Sequence, residues 1–216
     1  MIAANIPAIK KEIGEKIKLI VVSKFRTETE IMEAYETGQR AFAENRVQPL
    51  LERLHNLPSD IEWHLIGHLQ SNKVKQIAPF INTIQSVDSV KLAEIISEEV
   101  VKNNRKINCL LQIKLTNEDT KSGFDYNELI QSIDSNALNL AGIIWTGVMG
   151  MAELDGNDAT VTGQFRALKN HFDSLKSDYF SNNTEFKEIS MGMSGDYKLA
   201  IAEGSTIVRI GSAIFQ

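Results

Sequence analysis

Lys24 is the penultimate residue of the stretch KLIVVSKF, directly after four apolar residues at 19–22 and Ser23. A short, β-branched apolar run of this kind reads as a strand buried on both faces. The chain then turns into a helix announced by Thr27 and Glu30 at capping-box spacing. The amine therefore stands at the carboxyl end of a buried parallel strand, where α/β proteins keep their chemistry. Near the other end of the chain, Gly192-Met193-Ser194-Gly195-Asp196 runs into a helix start, and Gly211-Ser212 follows the last strand. Small residues let backbone N–H groups approach an anion, and a helix dipole favours negative charge there. The same pattern also suits an ordinary helix cap. Arg209 lies in the last strand, two residues before Gly211. Alternation along that strand turns it into the same mouth, where a guanidinium needs an acceptor.

A lysine, a phosphate cradle and an arginine around one pocket point to pyridoxal 5'-phosphate (PLP). Lysine condenses with the aldehyde, loops hold the phosphate, and a charged side chain faces the pyridine nitrogen. Arginine cannot accept a proton from a pyridinium. The ring nitrogen then stays unprotonated, and the ring is poorly suited to demanding carbanion chemistry. His64 and His68 have H-x-x-x-H spacing, which serves zinc when both lie on one helix face. Here Gly67 and the strand pattern place them across a strand–loop junction with no third ligand nearby in sequence. A pocket-lining role for His64 is expected, and no metal. Lys121-Ser122-Gly123 reads as a solvated loop, Met149, Met151, Met191 and Met193 as apolar lining, and Cys109 as a core residue.

These residues need one scaffold. After the first strand, further strands are expected at 40–43, 61–66, 83–87, 108–115, 140–148, 186–190 and 206–210. Helical stretches lie between them, including 47–56, 70–78 and 162–177, and a leading helix is expected at 6–16. Eight βα-type units in a row argue for an α/β fold in which residues 1–216 form a single (β/α)8 TIM barrel domain. The rival, an open doubly wound sheet, would carry a glycine-rich fingerprint after its first strand, where this chain has SKFRTE. A barrel gathers Lys24, Glu44, Asn45, His64, Ser86, Asp88, Ser194, Arg209, Gly211 and Ser212 around one mouth.

Composition narrows the setting. A net charge of −5 without a basic run argues against nucleic acid as a partner. One cysteine, Cys109, rules out a disulfide framework and fits a cytoplasmic protein. The first residues lack a basic segment followed by an apolar one, so no signal peptide is expected. No apolar stretch is long enough to span a membrane. Nor does a contiguous apolar stripe announce an interface, and a monomer is expected.

At this level of detail the residues match a known family. VVSK (21–24), AENRVQ (43–48), WHLIGHLQSNK (63–73), QSVDS (85–89), KSGF (121–124), MGMSGDY (191–197) and GSTIVRIGSAIF (204–215) resemble the PLP homeostasis proteins, the YggS/PROSC family. The matches run in order along nearly the whole chain. The resemblance implies a barrel like the alanine racemase N-terminal domain, with PLP held as a Schiff base on Lys24. It implies that Arg209 faces the pyridine nitrogen. Ser194, Gly211 and Ser212 would belong to the phosphate site, and Asn45, His64 and Ser86 would line the ring. Ala43, Arg46 and Gln216 depart from the usual pattern, which has glycine, tyrosine and glycine there.

The resemblance implies a PLP-binding protein of intracellular vitamin B6 homeostasis, without catalytic residues or turnover, that buffers the aldehyde and hands it to apo PLP-dependent enzymes. The alternative is an amino-acid racemase on the same barrel. No tyrosine stands in a strand-end motif to oppose the lysine, and the sequence shows no second β-domain. A third reading is an aldolase-like barrel whose lysine attacks a sugar carbonyl directly.

Overall fold

A computed structural model describes residues 1–116, 122–153 and 155–216. Eight parallel strands close into a barrel in sequence order. They are β1 (Lys18–Val22), β2 (Ala41–Glu44), β3 (Glu62–Leu65), β4 (Thr83–Val87), β5 (Ile107–Gln112), β6 (Ile143–Met149), β7 (Glu188–Ser190) and β8 (Ile207–Ile210). Closure is made by β8 against β1, from Lys18 opposite Ile207 to Val21 opposite Ile210. The fold is the (β/α)8 TIM barrel, not the open sheet. Its strands are buried almost throughout, as strands covered on both faces must be.

The helices are α1 (Ile2–Ile13), α2 (Glu28–Glu36), α3 (Val47–Arg53), α4 (Val74–Ile77), α5 (Val90–Lys102), α6 (Tyr126–Asp134), α7 (Asp158–Asp178), α8 (Tyr197–Ala202) and α9 (Ser212–Phe215). The capping box forms at α2: Thr27 Oγ1 accepts from the Glu30 N–H, and the Glu30 carboxylate accepts from the Thr27 N–H.

Several boundaries differ from the sequence reading. α1 starts at Ile2 and carries Pro7 inside it, because Ile2, Ile6, Ile9 and Ile13 form one buried stripe that Ile2 joins only if the helix continues through the proline. The stretch 70–78 becomes a 3-10 turn at Ser71–Lys73 followed by the one-turn α4. α7 begins at Asp158 because Asn157 caps it, accepting from the Thr160 N–H at 3.0 Å. β2 runs one residue further than expected and ends on Glu44. The terminal GSAIF segment contains a helix, α9, that periodicity over so few residues does not announce.

α1 packs against α2 and α9. Asn5 donates from its side chain to the Ile214 carbonyl at 2.9 Å, and Glu12 pairs with Lys198 of α8 at 2.7 Å. The leading helix thereby ties α2, α8 and α9 together. Most of the core lies between barrel and helices. Inside the barrel lies a small apolar cluster, Ile20, Ala41, Ala43 and Ile207, with Ile66 packed against it. Among the described residues no helix is long and apolar enough to cross a membrane.

Candidate functional site

Above the small interior cluster, the carboxyl ends of the strands open into a cavity of about 700 Å³, within the roughly 300–1,000 Å³ of small-molecule sites. Lys24, Asn45, Ser194, Arg209, Gly211 and Ser212 all line it. The other two expected residues do not. His64 and Ser86 are buried and are not among the residues that line the cavity. Ser86 Oγ donates to the Gly67 carbonyl at 2.7 Å. Gly67 is itself a wall residue, so Ser86 acts on the cavity by holding the loop after β3. Lys121 lies outside the described residues, and Arg46 is exposed and not part of the wall.

His64 belongs to a buried chain that crosses the barrel. Arg209 Nη1 donates to Ser190 Oγ at 2.7 Å, Ser190 Oγ donates to Gln85 Oε1 at 2.6 Å, and Gln85 Nε2 lies 3.0 Å from His64 Nδ1. The direction is forced from one end. A guanidinium only donates, so Ser190 accepts from it and passes its own proton to the amide oxygen. The amide nitrogen then faces His64, which accepts at Nδ1 and carries its proton on Nε2. Among the described residues that Nε2 is buried without a partner. Burial, and after it the charge of Lys18, pushes the His64 imidazolium down to about 3. The ring is therefore neutral at pH 7.

This depression has a measurable sign. A histidine whose folded pKa lies below its unfolded value of about 6.5 contributes stability above that pH and loses it as pH falls toward the folded value. Between pH 7 and pH 5 the wild-type protein should lose about 2 kcal/mol relative to His64→Gln. Urea unfolding of both proteins at the two pH values checks it; a constant gap would mean that His64 protonates freely in the fold.

Arg209 is 3% exposed. Its named acceptors are neutral, Ser190 Oγ and the Gly150 carbonyl at 3.1 Å. Burial pushes the guanidinium down to about 10, with Asp196 pulling it back up, so it remains charged at pH 7. A buried cation resting on neutral acceptors at the wall of a cavity is suited to a ligand that brings a lone pair.

Across the mouth, the loop after β7 and the start of α9 come together. Ser194 Oγ accepts from the Gly211 N–H at 3.2 Å and from the Ala213 N–H at 3.3 Å. Two backbone donors thus converge on one point, held by a hydroxyl oxygen. The loop depends on Gly192, whose φ of +95° is left-handed and whose Cβ would lie 2.6 Å from Ala200 Cβ and 2.9 Å from Tyr197 Cα. Gly192→Ala should therefore cost about 1–3 kcal/mol and weaken binding of inorganic phosphate, as thermal melting and phosphate titration would show.

Lys24 sits one residue beyond Ser23, in a turn closed by the Arg26 N–H to the Ser23 carbonyl at 3.0 Å. Phe25 within that turn is left-handed (φ 66°) and 81% exposed. Lys24 itself is exposed and lines the cavity. The other side of the mouth is supplied by Met151, expected from the sequence as apolar lining, and by Glu153 after β6, whose role the sequence did not disclose. Cys109 is fully buried and burial pushes its thiol up, which leaves it unreactive. His64 points into the barrel while exposed His68 lies 3.1 Å from Asp88. Among the described residues no three metal-type side chains come together.

A family model described as the alanine racemase N-terminal domain matches residues 1–216. The pyridoxal phosphate homeostasis protein of Haemophilus influenzae is 36% identical over 202 residues, covering 92% of this chain and 84% of that protein. The protein of the same name from Escherichia coli K12 is 34% identical over 208 residues, covering 93% and 86%. PipY of Synechococcus elongatus, solved with PLP bound, superposes with a TM-score of 0.89 at 32% identity over the whole of both chains. Its PLP-free structure gives 0.93 at 33% identity, again over the whole of both chains. An alanine racemase of Clostridium difficile shares the fold, with a TM-score of 0.75 at 16% identity over 99% of this chain and 55% of that one.

Proposed function

From its place in the alanine racemase N-terminal domain family, to which this chain belongs, we propose that it is a PLP-binding protein of vitamin B6 homeostasis. The observation that carries this reading is the meeting of Lys24, Arg209 and the Ser194–Gly211 donors on one cavity of about 700 Å³. When bound, PLP supplies an aldehyde that amines attack and a ring that withdraws electrons. The residues fit such a group on their own chemistry. Lys24 offers the amine for a Schiff base. The Gly211 and Ala213 N–H groups already hold an oxygen atom where a phosphate oxygen would replace it. Arg209 only donates, so it pairs with a pyridine nitrogen that keeps its lone pair. Asn45 and Gly67 wall the space between them, Ser86 holds Gly67 from behind, and His64 ends the buried chain that starts at Arg209.

Arg209 also bears on turnover. A guanidinium opposite the ring nitrogen withholds the protonation that makes PLP a strong electron sink. No tyrosine is among the described residues lining the cavity. Both support a carrier over a racemase: a monomeric, cytoplasmic protein that keeps the aldehyde covered and releases it to apo PLP-dependent enzymes. The PLP reported with PipY supports the same assignment here.

The test is the visible spectrum of the purified protein with added PLP, followed by borohydride reduction and peptide mass mapping. A yellow protein with one pyridoxyl group per chain on Lys24 is expected, together with no conversion of L- to D-amino acids. A protein that stays colourless and unmodified would overturn the assignment, and steady racemisation lost in Lys24→Ala would turn it to the enzyme.

A further inference from the structure

The outer face of β2 carries a second group of charges beneath the Lys24 turn. Ala41 and Ala43 point into the barrel, so Glu44 points outward with Phe42 and meets Arg53 of α3. Glu44 is 1% exposed. Its Oε1 accepts from Ser23 Oγ at 2.6 Å and from Arg53 Nη1, while Oε2 is buried without a partner among the described residues. Arg53 does more than balance that charge. Its Nη1 also donates to the Ser23 carbonyl at 3.3 Å, and its Nη2 donates to the Arg26 carbonyl at 2.6 Å. One guanidinium thus spans the first and last residues of the turn whose middle holds Lys24 and the left-handed Phe25.

A buried ion pair is weak evidence for stability, because desolvation offsets its Coulomb attraction. Burial pushes the Glu44 carboxyl up, with the Ser23 hydroxyl, Arg53 and then Lys24 pulling it down. An apolar pair would pack the same space without that cost. What an apolar pair could not do is bind two carbonyls at a fixed spacing, and a left-handed non-glycine residue such as Phe25 needs its surroundings to hold it. Arg53 has the planar fork for this, and lysine does not.

We infer that the Glu44–Arg53 pair is a positioning device: it clamps the turn at residues 23–26 and so sets where the Lys24 amine stands relative to the ring and phosphate sites. The inference rests on the PLP reading for its consequence but not for its geometry. Glu44 orients Arg53, Arg53 fixes both ends of the turn, and Ser23 ties the turn back to β2 through its side chain and through its N–H to the Ala43 carbonyl at 3.0 Å.

The test compares the full chain with Arg53→Lys, Arg53→Met and Glu44→Gln. Two readouts are followed: hydrogen exchange at the Arg26 amide, and the rate of borohydride-fixed PLP incorporation at Lys24. Pyridoxine 5'-phosphate, which has the ring and phosphate but no aldehyde, serves as the control ligand. Arg26 exchange should quicken in all three variants, and incorporation should slow by about tenfold to a hundredfold, the scale of a small misplacement of a reacting group. Affinity for the control ligand should stay at the wild-type value, and Arg53→Lys should fail to rescue despite keeping its charge. Wild-type exchange and incorporation in Arg53→Lys would overturn the clamp. So would an equal loss of control-ligand affinity, which would mark the pair as merely structural. Should the wild-type protein take up no PLP at all, the functional reading falls, and exchange at Arg26 alone still decides the clamp.

Discussion

Lys24→Ala should abolish the pyridoxyl group recovered after borohydride reduction while leaving the protein folded. The side chain lies in an exposed turn, its backbone conformation is set by residues 23 and 26 rather than by itself, and its removal opens no hole in the core. Surface changes of this kind stay within about 0.5 kcal/mol of wild-type stability. The ligand's fate differs. Arg209 and the Gly211 and Ala213 donors remain in place, so on the proposed reading ring and phosphate are still recognised while the covalent contribution disappears. Apparent PLP affinity should fall by about a hundredfold or more, given the large effective concentration of a well-placed amine. Titration followed in the visible range, with mass mapping of reduced peptides, checks both parts. Recovery of the pyridoxyl group on another lysine at wild-type yield would move the site away from the end of β1.

Arg209→Met should harm both fold and binding. The substitution keeps much of the volume but removes the donors that begin the chain through Ser190 and Gln85 to His64. It also leaves the Gly150 carbonyl without its Nη2 partner. Each buried polar group left unsatisfied costs about 1–3 kcal/mol. The apolar replacement spares the desolvation of a buried cation, so a net loss of about 2–4 kcal/mol is expected. With Ser190 free to rotate, the amide of Gln85 loses the constraint that fixes its orientation, and His64 loses its enforced tautomer. On the proposed PLP reading, affinity for PLP should fall as well, because Arg209 is the donor assigned to the pyridine nitrogen. Denaturant unfolding and PLP titration of Arg209→Met test the two effects separately. Unchanged stability would mean that the buried chain is not anchored by the guanidinium.

Much of this protein was legible in its residues. The eight strands and the barrel follow from apolar runs separated by helical stretches, because parallel strands covered on both faces must be apolar along their length. The α2 capping box was visible because its two partners lie three residues apart. Lys24, Asn45, Ser194, Arg209, Gly211 and Ser212 were placed at one mouth by a rule of topology alone, that strand carboxyl ends share a face. Each of these features is local, or becomes local once the fold class is given.

The tertiary structure decided the rest. His64, Gln85, Ser190 and Arg209 come from β3, β4, β7 and β8 and meet only because the barrel closes and each takes an inward position. A polar residue at a strand end looks the same in sequence whether it lines a cavity or feeds a buried chain, which is why His64 and Ser86 were expected in the wall. A strand ending at 43 puts Glu44 beside Asn45 at the barrel mouth, and the structure instead turns it away from the cavity. One more residue of pairing puts its side chain on the outer face, under α3 and against Arg53. In a strand a single position separates inside from outside, and register is set by contacts between segments far apart in the chain. Sequence therefore determined which residues reach the mouth of this barrel, and tertiary packing determined which of them face the cavity and which hold the others in place.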